Sequence, residues 1–221
     1  MVHKVPDGIR DEDVVLSSNI GNGYRFILKK AQLKPNQNVL ICGPGAMGLA
    51  TVITAKECGI YPIIVTGFGE KDAPRLELAK EYGADYTIRV DLEDAAAKIM
   101  EITHGKGVNA VIECSGAPSS YELAFKTMAP NATVVVVAAT GKDGIKIDTN
   151  QMMSKEFQIK GSLGQPLDVF EAMKTINKAK YRIDKMVTHK FPMSKADEAI
   201  AFFMNNSSEC IRVAICAEDT E

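Results

Sequence analysis

Three glycines, Gly43, Gly45 and Gly48, stand in the run GPGAMG with the spacing GxGxxG, directly after the apolar stretch NVLIC. That spacing suits the binding of a pyrophosphate. The first glycine allows a tight turn, the second lets a phosphate approach the backbone, and the third lets a helix sit close to a strand. A helix that begins here, with Ala46 and Met47 in its first turn, turns unpaired N–H groups and the positive end of its dipole toward the anion. Gly43, Gly45, Ala46, Met47 and Gly48 are therefore candidate dinucleotide-binding residues.

The same fingerprint asks for an acidic residue about 20 positions on, at the tip of the second strand, to bond the adenosine ribose. Gly67 occupies that place, and the loop continues FGEKDAPR. Glu70 or Asp72 can reach a ribose, while Lys71 and Arg75 can pair with a 2′-phosphate. The missing strand-tip carboxylate removes a repulsion against NADP. Both NAD and NADP stay open, with a slight tilt toward NADP. A ligand on an open parallel sheet lies across the carboxyl ends of the strands. This adds Cys114, Ser115 and Gly116 after a fourth strand, Ala139 and Thr140 after a fifth, and Ser162 and Leu163 after a sixth. Small residues at these tips leave room for a flat nicotinamide ring, although turn chemistry alone also accounts for them.

The elements that position these residues follow from the apolar period. Residues 38–42, 61–66, 85–88, 108–114, 132–140 and 157–164 read as strands, mostly short apolar runs bounded by turn residues. Between them, helices are expected from Ala46 onward, over 72–83 with Asp72 as cap, Pro74 in the first turn and Gly83 at the end, over 91–104 and over 119–129. Alternation of this kind predicts an α/β fold, a doubly wound six-stranded parallel sheet with helices on both faces. Before it, Asp11 to Leu33 is helix-compatible, with a bend expected at Gly21 and Gly23. After it come helices over 168–178 and 195–205, around extended segments at MVTHKF and CIRVAIC.

The chain has 221 residues, 46% hydrophobic and 24% charged, which suits a folded globular domain rather than a disordered one. With 26 basic against 28 acidic residues, no charge excess favours nucleic acid or anionic lipid as a partner. The N-terminal MVHKVPDGIRDED has charges where a signal peptide needs an apolar core, and no segment reaches the length of a membrane span, so a cytoplasmic location is expected. Five scattered cysteines without CxxC spacing suggest neither a disulfide framework nor a zinc knuckle. His3, His104 and His189 show no HE pairing and no helical i, i+4 partnering, so no metal ligand and no catalytic residue is singled out.

Taken in order, PDGIRDED, LKPNQNVLICGPGAMG, RLELAKEYGAD, VIECSGAP and FPMSKADEAIAFF resemble the landmarks of the medium-chain, zinc-type alcohol and polyol dehydrogenases over nearly the whole chain. The resemblance implies the C-terminal, dinucleotide-binding half of such an enzyme, without the catalytic domain that binds zinc and substrate. It implies three regions: residues 1–30 finishing the catalytic domain, 31–165 forming the Rossmann domain, and 166–221 returning toward the catalytic domain. The family's cysteine and GHE zinc motifs have no match here, and its third zinc ligand matches Ser18, a poor ligand. Zinc is therefore not expected, and the implied role is binding NAD or NADP without alcohol oxidation by this polypeptide alone. The family also pairs along the strand matched by residues 157–164, so a homodimer, or a separate catalytic chain as partner, is implied. Two alternatives stand beside this reading: a non-catalytic dinucleotide sensor or interaction module, and an S-adenosylmethionine methyltransferase, which the landmarks after strands two and four fit less well.

Overall fold

A computed structural model describes residues 3–142, 144–164, 168–206 and 208–217. Two helices open the chain, α1 (Asp11–Val14) and α2 (Ser17–Tyr24), and α2 runs into a π-helical turn at Arg25–Lys30. Strands and helices then alternate: β1 (Val39–Cys42), α3 (Ala46–Glu57), β2 (Ile63–Gly67), α4 (Ala73–Glu81), β3 (Tyr86–Arg89), α5 (Ala95–Ile102), β4 (Val108–Glu113), α6 (Pro118–Thr127), β5 (Met128–Val136), α7 (Thr149–Lys155) and β6 (Gln158–Gly161). The C-terminal segment adds α8 (Val169–Asn177), β7 (Val187–Pro192), α9 (Ala196–Asn205) and β8 (Arg212–Cys216).

The first six strands form one parallel sheet in the order β3-β2-β1-β4-β5-β6, and β7 and β8 form a separate parallel pair. This is the doubly wound order of dinucleotide-binding folds. Apolar runs rather than alternating patterns make these strands because both faces are covered. In β1, Val39 and Ile41 pack with Leu49 and Ile53 of α3, while Leu40 and Cys42 join Ile99 of α5 and Tyr121 of α6 on the other face. Burying an aliphatic side chain of this kind contributes about 1.5–3 kcal/mol, so the central strands hold the sheet and fix its register.

Several boundaries differ from the sequence expectation. Gly21 and Gly23 produce no bend; both sit inside α2, and the interruption falls at Val15 and Leu16. A Cβ on Gly23 would lie 2.5 Å from Thr54 Oγ1 and 3.0 Å from the Ala50 carbonyl oxygen, so this glycine lets α2 lie directly against α3. β2 begins at Ile63 rather than Tyr61, since Pro62 brings no N–H to the ladder. α5 begins at Ala95 rather than Asp91, because Asp94 caps it by accepting the Ala97 N–H at 3.0 Å. β5 runs over 128–136, not 132–140, and β6 stops at Gly161, its last partner being Val136. Ala139, Thr140, Ser162 and Leu163 therefore lie past their strand ends. α7 was not anticipated, although Asp148 caps it by accepting the N–H groups of Asn150 and Gln151. The edge strand β6 is also short, and Lys160 on it donates to the Lys30 carbonyl at 3.1 Å.

Polar clasps attach the C-terminal segment to the sheet layer. Glu57, at the end of α3, accepts from Lys178, Lys180 and the Tyr181 hydroxyl at 2.7, 2.9 and 2.9 Å. The Tyr82 hydroxyl donates to the Arg182 carbonyl at 2.8 Å.

Candidate functional site

The strand order reverses between β1 and β4, and the loops leaving these two strands meet there. Cys114 N–H donates to the Cys42 carbonyl at 2.9 Å. A Cβ on Gly43, whose φ is +95°, would lie 3.0 Å from Ser115 Cβ. Only glycine tolerates both that backbone and that approach. Beyond this contact a cleft of about 810 Å³ opens over the tips of β1, β2 and β4. Gly43 and Gly45 form its floor, Gly67, Phe68, Asp72 and Arg75 one wall, and Cys114, Ser115 and Ser120 the other.

The glycines of the loop differ in their surroundings. A Cβ on Gly48 would stand 2.0 Å from the Gly43 carbonyl oxygen, so Gly48 sets the close approach of α3 to the loop. Gly45, the N-cap residue of α3, would meet nothing within 4 Å, and no side chain caps the helix there. The first turn of α3, with Ala46 and Met47 just behind the cleft lining, thus carries N–H groups without a side-chain cap and has an open space in front of Gly45.

Glu113, the last residue of β4 and fully buried, organises the opposite wall. Its carboxylate accepts the N–H groups of Ser115 at 2.9 Å and Gly116 at 3.0 Å, and the Ser120 hydroxyl at 2.8 Å. Sequence reading passed over this residue, although an acid that ends the otherwise apolar run VIE was its visible signal. Gly116, with φ +73°, turns beneath the β5 loop, where a Cβ would lie 2.5 Å from the Ala139 carbonyl oxygen. Burial and the nearby Glu113 push the Cys42 thiol up to about 12 and the Cys114 thiol well above its ordinary value. Both stay neutral and serve as apolar wall.

At the β2 tip, Asp72 does not cap α4 as expected. Its carboxylate instead accepts the Phe68 N–H at 2.9 Å and Arg75 Nη1 at 3.1 Å. Arg75 Nη2 donates to the Cys210 carbonyl at 2.9 Å, which ties this wall to the C-terminal segment. Glu70 pairs with Arg89 rather than facing the cleft, and Arg89 also pairs with Asp91, which lowers the Asp91 pKa. Gly43, Gly45, Gly67, Asp72, Arg75, Cys114 and Ser115 thus come together around one cleft. Ala139, Thr140, Ser162 and Leu163 follow the tips of β5 and β6 outside this wall, and Leu163 is 96% exposed.

Residues 46–178 match the family model described as zinc-binding dehydrogenase. The chain belongs to that family. Among curated relatives, it is 32% identical to the D-arabitol-phosphate dehydrogenase of Enterococcus avium over 90% of this chain and 56% of the relative. It is 34% identical to the L-threonine 3-dehydrogenase of Pyrococcus abyssi, again over 90% and 56%. The chain thus spans little more than half the length of these relatives. Among solved structures, a short chain alcohol dehydrogenase of Escherichia coli CFT073 complexed with cofactor NADH superposes with a TM-score of 0.82 at 23% identity, over 96% of this chain and 61% of that one. At that identity the likeness concerns the fold.

A zinc-binding dehydrogenase raises the question of a metal. Among the described residues no three His, Cys, Asp or Glu side chains gather so as to hold an ion. His3 packs on Phe170 and His189 on Phe202. These residues do not fit a zinc site, and no step below runs through one. Nor is any helix among the described residues long and apolar enough to cross a membrane.

Proposed function

We propose that the cleft binds a nicotinamide dinucleotide, NAD(H) or NADP(H), and that the chain is the cofactor-holding portion of a zinc-type alcohol or polyol dehydrogenase. The observation that carries this reading is the uncapped start of α3, with open space before Gly45 and tight packing at Gly43 and Gly48. That combination leaves room for a pyrophosphate where backbone N–H groups meet it. The bound nicotinamide would exchange a hydride with the carbinol carbon of a substrate. This chain's own part is positional: Gly43, Gly45, Ala46, Met47 and Gly48 hold the phosphates, Gly67, Asp72 and Arg75 bound the ribose end, and Cys114, Ser115 and Gly116 lead toward the nicotinamide end, with Ala139, Thr140, Ser162 and Leu163 beyond. Neutral Cys42 and Cys114 keep the wall apolar. The regions 1–30, 31–165 and 166–221 would serve as the approach from a catalytic domain, the Rossmann domain and the return segment.

Efficient alcohol oxidation by this chain alone is not expected, since no three metal-ligating side chains gather among the described residues. Titration calorimetry with NAD⁺, NADH, NADP⁺ and NADPH tests the reading: at least one binds saturably, and a folded protein that binds none removes it. The lack of a metal grouping among the described residues favours a second reading, a dinucleotide-responsive module acting with a separate catalytic chain. A complex with such a chain whose stability ignores the nucleotide would count against it. Pairing of two copies along β6 belongs to the same proposal and is checked by sedimentation. The five cysteines, all free, suit a reducing cytoplasm.

A further inference from the structure

We propose that Asp72 takes the place of the missing strand-tip carboxylate and makes the cleft selective for NAD(H) over NADP(H). The proposal rests on the dinucleotide reading above. β2 ends at Gly67, which has no side chain to offer a ribose, but the space such a side chain would need is already filled. A Cβ on Gly67 would lie 2.9 Å from Asp72 Cβ, 3.2 Å from Leu76 Cδ1 and 3.2 Å from Pro44 Cγ. Asp72 therefore brings a carboxylate to the strand tip from across the 68–71 loop rather than along the strand.

That carboxylate is held in place. Its side chain is 10% exposed, one oxygen accepts the Phe68 N–H and the other Arg75 Nη1, and it lines the cleft beside Gly67. Each carboxylate oxygen keeps a further lone pair, so the 2′- and 3′-hydroxyls of a ribose can both donate to it.

Of the cations near the same place, two arginines are already engaged and less available to a 2′-phosphate. Arg75 gives Nη1 to Asp72 and Nη2 to the Cys210 carbonyl. Arg89, in register with Gly67 on the neighbouring strand, is held by Asp91 and Glu70. Lys71 and Lys126 remain on the cleft lining, and four carboxylates, Asp72, Glu93, Asp94 and Glu122, line the same cleft with them. The phosphate would be brought against a partly desolvated carboxylate. That selectivity runs against the slight tilt toward NADP read from the sequence, which rested on the missing carboxylate at Gly67, although Asp72 was already named there as able to reach a ribose.

The test compares dissociation constants of the unmodified chain for NADH, NADPH and a 2′-deoxy analogue of NADH by titration calorimetry. NADH is expected to bind at least about tenfold tighter than NADPH, and the 2′-deoxy analogue several-fold weaker than NADH. Asp72→Asn, which keeps an oxygen for the Phe68 N–H, should narrow the NADH-to-NADPH ratio. NADPH binding as tightly as NADH, a 2′-deoxy analogue as tight as NADH, or a ratio unmoved by Asp72→Asn in a folded variant would each overturn the assignment while leaving dinucleotide binding intact. Binding of no nucleotide would remove both.

Discussion

The buried carboxylate of Glu113 accepts the backbone N–H of Gly116 at 3.0 Å, folding the end of β4 back toward the start of α6. Together with the N–H of Ser115 and the hydroxyl of Ser120, this makes one side chain the organiser of a whole cleft wall. Removing it takes away the shared acceptor of those donors and leaves a cavity where the fully buried side chain stood. Glu113→Ala should destabilise the protein by about 2–4 kcal/mol, read as a lower denaturation midpoint in urea. Glu113→Gln, which still accepts through its carbonyl but turns an amide N–H₂ toward donors, should fall between. An unchanged midpoint for Glu113→Ala would show that the loop is held by other means.

The three glycines of the loop should separate by experiment. A methyl group at Gly48 must displace the backbone carbonyl of Gly43, 2.0 Å away, which a backbone atom cannot yield cheaply. Gly48→Ala should therefore cost about 1–3 kcal/mol or more through overpacking. A methyl group at Gly45 meets no protein atom, so Gly45→Ala should leave the melting temperature nearly unchanged while filling the space offered to a pyrophosphate. Its dinucleotide dissociation constant should rise by about tenfold or more. Equal losses of stability in the two variants would contradict this division of roles.

What the sequence disclosed depended on how local each cause was. The turn from β1 into α3 was legible because its strand, glycines and helix lie within 20 residues and each has its own residue-type signature. The interior of α2 was not, because the reason for Gly23 is Thr54 in another helix. The start of β5 was hidden by Pro130 and Asn131, which separate the expected helix over 119–129 from the expected strand over 132–140. In the structure they form an exposed irregularity, with Asn131 at φ +60°, while Met128 already pairs with Val108. Asp72 looked like a helix cap by position, but the Phe68 N–H and Arg75 compete for the same carboxylate and win. At Glu113 the chain itself carried the clue, an acid at the end of a buried strand, but its partners all lie in the following loop.

The contact at Gly23 offers a test of helix-against-helix packing. Gly23→Ala gains helix propensity of roughly 1 kcal/mol, yet its methyl group would meet Thr54 Oγ1 at 2.5 Å and the Ala50 carbonyl at 3.0 Å. The steric term should dominate, giving a net loss of about 1–2 kcal/mol. Combining it with Thr54→Ala should recover part of that loss in a double-mutant cycle. No coupling between the two substitutions would mean that α2 shifts as a unit instead.

The Glu57 clasp predicts how the protein responds to acid. Burial alone would raise this carboxyl, but the hydrogen bonds from Lys178, Lys180 and Tyr181 outweigh it and hold the pKa at about 2. The unfolded chain has the ordinary glutamate value of about 4.3. A folded pKa below the unfolded one contributes stability that is fully present above about pH 5 and is lost as the pH falls toward 2. Because the lysines are themselves more than half exposed, solvent screens the pair, and the contribution is about 1–2 kcal/mol. Glu57→Gln should therefore lower the unfolding free energy by about that amount at pH 7. The difference from the unmodified protein should shrink steadily below pH 4.5, since protonation removes the same charge that the substitution does. Urea unfolding at a series of pH values measures it directly. A gap that stays constant down to pH 2.5 would mean that shape rather than charge holds the C-terminal segment against α3.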